Sequence, residues 1–230
     1  MRDAMDFMEF FNFLARWGHI VFGIAWIGLL YYFNFVQGAF MASASNDTKV
    51  EAFTLLVPKA LWWFRWAAAF TFLTGLYLLY VVMKQGTLTE DTLVAGLLAT
   101  FMAANVWFII WPNQKVVIAS NEAVKSGGEA DPNQASAAAS ALLASRTNTL
   151  FSLPMVFTMV SSAHYVHGGD VGSSGAWASA WGLYIVAAIA VLLELNAIFG
   201  KMNPAIESVK AVIGSSVVLT AIVWLVLAYV

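Results

Sequence analysis

Apolar residues run in six long blocks with polar stretches between them. The blocks cover about residues 10–38, 58–83, 92–111, 148–166, 176–199 and 205–230. Each reaches the roughly 20 residues that a helix needs to cross the hydrocarbon of a bilayer. In lipid every backbone polar group has to be satisfied within the protein, so the blocks predict helices. The expected fold is an all-α integral membrane protein, a bundle of about six transmembrane helices forming a single polytopic membrane domain over residues 1–230. The first apolar block is too long for the core of a signal peptide and reads as a retained span. No internal repeat is visible.

The connections differ in character. Residues 39–57 read as a polar loop, with Ser43, Ser45, Asn46 and Asp47. Residues 84–91 form a short link. Residues 113–147 read as a long helical loop made of two helices outside the membrane. One covers Gln114 to Lys125 and is stopped by Gly127 and Gly128. The second starts at Asp131-Pro132, a capping residue followed by a proline suited to a first helical position, and continues to Ser145. Residues 167–175 are rich in glycine and serine.

Basic residues set the expected orientation. With six spans, Arg2, Arg16 and Lys84 fall on one side of the membrane. Lys49, Lys59, Arg65, Lys115, Lys125, Arg146, Lys201 and Lys210 fall on the other. The richer side is expected in the cytoplasm. Both termini then face outward, into the periplasm if the membrane is the inner membrane of a bacterium.

Composition narrows the chemistry. The chain is 61% hydrophobic and 10% charged, against about 25% charge in a soluble domain. Mean hydropathy is +0.77. The net charge of −2 provides no basic field for nucleic acid. The absence of cysteine excludes disulfides, thiolate metal sites, iron–sulfur clusters and covalently attached haem.

Ionisable side chains inside such spans are costly and mark candidate sites. His19 lies in the first span, with Gly23 and Trp26 on the same helical face. In the expected topology His164 lies near the outer end of the fourth span, and His167 follows about one turn later. Two imidazoles at similar depth could ligate one non-covalent haem b, with His19 and His164 on the iron, His167 as the alternative ligand, and Gly23 and Trp26 beside the macrocycle. The plainer reading has these histidines hydrogen-bonding to neighbouring helices, headgroups or water. A second cluster gathers at the expected inner face. It contains Asn34, Trp62, Trp63, Arg65, Trp66, Asn105, Trp107, Trp111, Gln114, Arg146, Asn148, Ser152, Glu194 and Asn196. Tryptophan belts and snorkelling arginines occur at any interface. Arg65 and Glu194 lie deeper, and each needs a partner. A buried Arg65–Glu194 or Arg146–Glu194 pair is one outcome. A pocket for an anionic or quinone-like molecule is the other, with Arg65, Arg146, Glu194, Trp62, Trp66 and Asn105 around a flat ring.

Four blocks resemble one family. They are Trp17-Gly18-His19 with Gly23-Ile24-Ala25-Trp26-Ile27-Gly28 and Tyr32-Phe33-Asn34; Lys59-Ala60-Leu61-Trp62-Trp63-Phe64-Arg65-Trp66; Asn105-Val106-Trp107-Phe108-Ile109-Ile110-Trp111-Pro112-Asn113-Gln114; and Ala144 to Met155 followed by His164. Together they are similar to the membrane domain of bacterial membrane-bound urate hydroxylases, the urate oxidase N-terminal family. The resemblance implies a multi-pass protein of the bacterial inner membrane linked to electron transfer. Urate-type members carry a C-terminal cytochrome c domain, which is not expected here, since the chain ends at Val230 without cysteine. The expectation is therefore a haem-b electron-transfer protein or oxidoreductase subunit. It would pass electrons to a separate cytochrome c or within a larger respiratory complex, as a monomer or a homo-oligomer. A membrane-bound urate hydroxylase is the alternative, and a non-catalytic accessory subunit the second alternative.

Overall fold

The computed structural model describes residues 7–171, 177 and 180–230. Three sequence expectations lie outside the described residues: the placement of Arg2, the glycine/serine-rich loop from residue 172 on, and the start of the fifth block at residue 176. Among the described residues the chain forms six continuous helices. They are α1 (Phe7–Ser43), α2 (Asn46–Gln85) and α3 (Glu90–Lys125), α4 (Gln134–His164), α5 (Trp181–Phe199) and α6 (Val209–Tyr229). Five of them, α1, α2, α3, α5 and α6, are long and apolar enough to cross a membrane.

The sixth, α4, is long enough at 31 residues but carries too many polar side chains. Its polar residues are turned inward. Arg146, Thr147, Asn148, Thr149, Ser152, Thr158 and Ser161 are all buried. It packs against α3 and α6 along much of its length and also touches α1 and α5. A helix surrounded by protein presents its polar groups to partners rather than to lipid, which is why its composition differs from that of its neighbours.

Two connections differ from their expected form. Residues 39–57 are helical apart from a break at Ala44 and Ser45. The Ser45 hydroxyl accepts the Thr48 N–H at 3.3 Å and so caps α2. The expected separate helix from Gln114 to Lys125 is the end of α3, and α4 begins at Gln134 rather than at Pro132. Each of α1, α2 and α3 contains a π-helical turn, at Tyr32–Gln37, Ala52–Leu56 and Asn105–Ile110. A π turn inserts an extra residue and shifts which face the following side chains present; such turns concentrate at functional sites.

The helices α1 and α2 run antiparallel, as do α3 and α4, whereas α3 and α5 run parallel. On α1 and α2, Gly23 lies against Thr71, Phe33 packs edge-on against Phe64, and Tyr77 donates to the Asn12 side chain at 2.6 Å. On α4 and α6, a proline sets the contact. Pro154 has no N–H, so the Leu150 carbonyl loses its partner within the helix. The Ser216 hydroxyl of α6 donates to that carbonyl at 2.7 Å. Apolar packing fills the rest, with Trp26, Phe64 and Phe151 almost completely buried. In lipid this packing acts through van der Waals contact rather than through escape from water.

Candidate functional site

The polar cluster at the α1–α4 crossing is built by five helices, α1 to α5. On α1, the π turn holds Asn34, whose amide nitrogen donates to the Leu30 carbonyl at 2.9 Å and to the Ser145 hydroxyl of α4 at 2.8 Å. One turn earlier, the hydroxyls of Tyr31 and Ser152 share a hydrogen bond of 2.9 Å. On α3, Asn105 opens its own π turn and is 0% exposed. Its amide nitrogen donates to Asn148 Oδ1 at 2.9 Å and to Glu194 Oε2 of α5 at 3.0 Å. Asn148 in turn donates to the Met102 carbonyl at 2.9 Å.

Two guanidinium groups complete the cluster. Arg65 of α2 is 9% exposed and Arg146 of α4 is 8% exposed. The Arg65 guanidinium lies flat on Trp111, with Cζ 3.3 Å from the ring centroid, a cation–π arrangement. Arg146 sits in α4 between Ser145, which binds Asn34, and Asn148, which binds Asn105. Neither arginine forms an ion pair with Glu194 among the described residues, where the one ion pair joins His167 and Asp91. The partner of Glu194 is Asn105, not an arginine.

Several buried polar atoms here have no hydrogen-bond partner in the protein. The donors are Arg65 Nη1, Arg146 Nε and Arg146 Nη1; the acceptors are Asn34 Oδ1, Gln37 Oε1, Asn105 Oδ1 and Gln114 Oε1. Buried groups in native proteins are nearly always paired, and an unpaired set needs an explanation. The unpartnered donors are on the two guanidiniums and the unpartnered acceptors are side-chain amide oxygens, on helices that pack against one another.

The sequence-predicted residues are distributed as follows. Asn105, Arg65, Arg146 and Glu194 belong to this buried cluster. Trp62 and Trp66 are exposed, and Trp66 meets Trp107 edge-on at 5.8 Å. The ring that stacks on Arg65 is Trp111. Trp26 is buried in the core, with its Nε1 unpartnered.

At the opposite end of the bundle, the His19 ring is half-buried against α2. Its Nδ1 is 2.9 Å from the Thr71 carbonyl and 3.1 Å from the Thr74 hydroxyl. A carbonyl only accepts, so Nδ1 carries the proton and Nε2 keeps its lone pair. Gly75 makes this seat. A Cβ there would lie 3.0 Å from the imidazole Cε1. Gly23 is filled by α2, its would-be Cβ 3.8 Å from the Thr71 methyl. His164, the last residue of α4, is exposed. Residues 19 and 164 each lie twelve positions from the Tyr31–Ser152 contact, in opposite chain directions, so antiparallel helices set both about 18 Å from it. His167 is engaged elsewhere. Its ring stacks on Phe157 with centroids 5.5 Å apart, and its Nδ1 is 3.5 Å from Asp91 Oδ1.

Sequence reasoning missed Gln37, Gly75 and the buried pair Glu90 and Asp91. Asp91 accepts from the Gly168 N–H at 2.7 Å, from the His167 N–H at 3.2 Å and from the Ser161 hydroxyl. Glu90 accepts from the Leu183 N–H at 2.9 Å. Both carboxylates open α3 right after its capping Thr89, and that position resembles an ordinary solvated first turn.

Among curated proteins and among solved structures, nothing matches the chain. A family model does match, over residues 90–227, which hold α3 to α6 and with them Asn105, Arg146 and Glu194. That is more than half of the chain, and the protein belongs to the urate oxidase N-terminal family.

Proposed function

We propose that this chain is a membrane oxidoreductase of the urate-hydroxylase type, and that the buried Arg65–Arg146–Asn105 cluster holds its substrate. The observation that carries this reading is the set of unpartnered donors and acceptors. A flat anion with ring N–H groups and carbonyl oxygens satisfies both kinds at once. Its anionic edge meets the two guanidiniums, its N–H groups meet the amide oxygens, and the Arg65–Trp111 stack provides a planar wall. Urate has this chemistry, and family membership supports it. In this reading α4 is a sixth span, kept polar by its central position, and both termini face the periplasm of a bacterial inner membrane.

Adding a hydroxyl from water to urate releases two electrons and two protons, so the site needs an electron outlet. His19 would be a residue to hold a haem b, since its Nδ1 proton is held by the Thr71 carbonyl and its Nε2 lone pair would be available to a metal. When bound, a haem b supplies a one-electron carrier. His164, at the same level, or His167 would be the second ligand, and a separate cytochrome c or a respiratory complex the acceptor. The same observation favours a second reading, a haem-b electron-transfer protein that serves a different reductant.

The test uses the full chain in nanodiscs. Urate titration is expected to quench tryptophan fluorescence saturably in the native protein and not in Arg65→Leu or Arg146→Leu. Urate is also expected to reduce a b-type absorption band. A protein that binds no urate while showing that band would favour the second reading.

A further inference from the structure

Outside the arginine cluster, α2 carries a row of bare indoles. Trp62 is 48% exposed and Trp63 is 64% exposed. Their rings meet edge to face, with centroids 4.9 Å apart and planes at 86°. The two indoles therefore form a corner. With Pro58 and Lys59 they line an open groove of about 370 Å³, within the roughly 300–1,000 Å³ of small-molecule sites. Lys59 is exposed, and its ammonium has no hydrogen-bond or ion-pair partner among the described residues. The groove adjoins the cluster. Arg65 comes within one turn after Trp62, about 4.5 Å further along the helix axis. Ring contacts run the same way, from Trp62 to Trp66 at 6.3 Å and from Trp66 to Trp107 at 5.8 Å. Trp107 stands one turn before Trp111, whose ring lies on Arg65.

We propose that this groove is a second binding site, an entry site that takes a flat aromatic anion from the surface at this end of the bundle and passes it to the arginine cluster. This rests on the reading of the cluster as the substrate site. The occupant follows from the lining. A free ammonium attracts an anion. An indole corner selects a planar ring, which stacks on one face while the second indole closes its edge. A lipid phosphate has the charge but no ring to place in the corner. An interfacial tryptophan belt requires neither a corner nor an unpaired lysine beside it. Trp62 and Trp63 then serve the route, and Trp111 the bound state. Two open rings and a solvent-screened ammonium hold the anion weakly, whereas the guanidiniums of the cluster are buried. The groove is therefore nearly empty once the cluster is filled.

The experiment measures binding rates on the full chain in phosphatidylcholine nanodiscs, by rapid filtration with radiolabelled urate. Trp63→Leu is expected to slow association and dissociation alike, because the ring crosses towards Trp66 while still stacked. The slowing should be about 5-fold or more, the worth of one ring–indole stack. Equilibrium affinity should stay within about 2-fold of native, since the filled cluster leaves the groove empty. Lys59→Gln should slow association by about 3-fold or more at about 20 mM salt, and the difference should vanish at about 0.5 M, where the charge is screened. Arg146→Leu should lose affinity itself. Inorganic phosphate at matched ionic strength should leave urate association unchanged. If the native protein binds no urate, the substrate-site reading fails. If it binds urate and both groove variants keep the native rates, the cluster stands and the entry site is overturned. Loss of affinity in Trp63→Leu without slower association also overturns it, because the groove is then part of the final site. Phosphate that slows urate association overturns it too, because the groove is then a plain anion or headgroup site.

Discussion

The two ends of the bundle bury polar groups in opposite ways. At one end Asp91, 0% exposed, accepts from the Gly168 and His167 N–H groups and the Ser161 hydroxyl, while Glu90 accepts from the first turn of α5. These carboxylates hold the segment around Gly168 onto the start of α3, and Gly168 has to be glycine, since a Cβ there would meet Glu90 Cβ at 2.5 Å. At the other end Arg65 and Arg146 are also buried but keep unpartnered nitrogens, and buried amide oxygens of Asn34 and Asn105 lack partners too. A satisfied buried network stabilises the native fold and rigidifies it. An unsatisfied one leaves the fold less stable than it could be, and that cost is characteristic of a site awaiting a ligand. The largest effects of substitution should therefore differ in kind between the ends.

Asp91→Ala is expected to have the largest effect on stability. It leaves the Gly168 and His167 N–H groups and the Ser161 hydroxyl buried without an acceptor, a loss of about 3 kcal/mol or more. The measurement is thermal unfolding in detergent by intrinsic fluorescence. Urate affinity of the fraction that remains folded should not change. A large loss of affinity with little loss of stability would reverse the roles assigned to the two ends.

Arg65→Leu and Arg146→Leu should behave in the opposite way. Replacing a buried guanidinium that has no counter-ion with an apolar side chain is neutral or stabilising, by up to about 3 kcal/mol, a gain reduced at Arg65 by the lost contact with Trp111. Urate binding should fall on the order of 100-fold, equivalent to about 3 kcal/mol. Titration calorimetry and unfolding on the same preparations give both numbers. A variant that loses stability and affinity together would show the arginines to be structural.

The contrast between the ends was only partly legible in the sequence. Apolar block length located both ends of α1 and α6, the end of α2 and the start of α3 to within about five residues, but α2 begins well before its apolar block, at Asn46, and α3 runs well beyond its own, to Lys125, because a helix can continue past the hydrocarbon with polar residues. The arginine end was named from residue type, because Arg65 and Glu194 are costly in lipid wherever they point. The pairing was not legible. Arg65 and Glu194 suggested an ion pair by charge, yet the partner of Glu194 is the neutral Asn105, delivered by a π turn that no apolar periodicity announces. Trp111 rather than Trp62 or Trp66 meets Arg65 for a related reason: it follows directly after that turn, on a face that regular 3.6-residue spacing does not assign. Asp91 was passed over because a threonine followed by two acidic residues is an ordinary helix start. Its burial depends on the chain near Gly168, some 77 positions away.

A smaller effect is expected at His19. Gly75→Ala places a methyl group 3.0 Å from the imidazole Cε1. The ring has to shift by a few tenths of an ångström, which weakens the hydrogen bond from Nδ1 to Thr71. Alanine favours the helix by up to about 1 kcal/mol over glycine, so stability should change little. If His19 ligates haem, the haem recovered per folded protein should fall in Gly75→Ala and fall further in His19→Ala. Haem content that stays full in both variants would remove His19 from the electron path and leave its contact with α2 as its role.

The smallest effect tests whether satisfaction of backbone groups, and not only of charges, separates the ordinary parts of the bundle from the site. Pro154 leaves the Leu150 carbonyl without its helical partner, and Ser216 of α6 donates to it at 2.7 Å. Ser216→Ala removes that donor and should cost about 1 kcal/mol. Pro154→Ala restores an N–H to α4, and Leu150 can then accept from residue 154 within its own helix. In that background the Ser216 hydroxyl is redundant, so Ser216→Ala should cost much less, and the double-mutant cycle should show a coupling of at least about 0.5 kcal/mol. Urate affinity should be unchanged in every member of the cycle, because none of these groups belongs to the unpartnered set. Additive effects would mean that α4 and α6 are held by packing alone at this point. Coupling without any change in affinity would place this crossing with the satisfied network around Asp91 and isolate the arginine cluster as the part of the bundle left open.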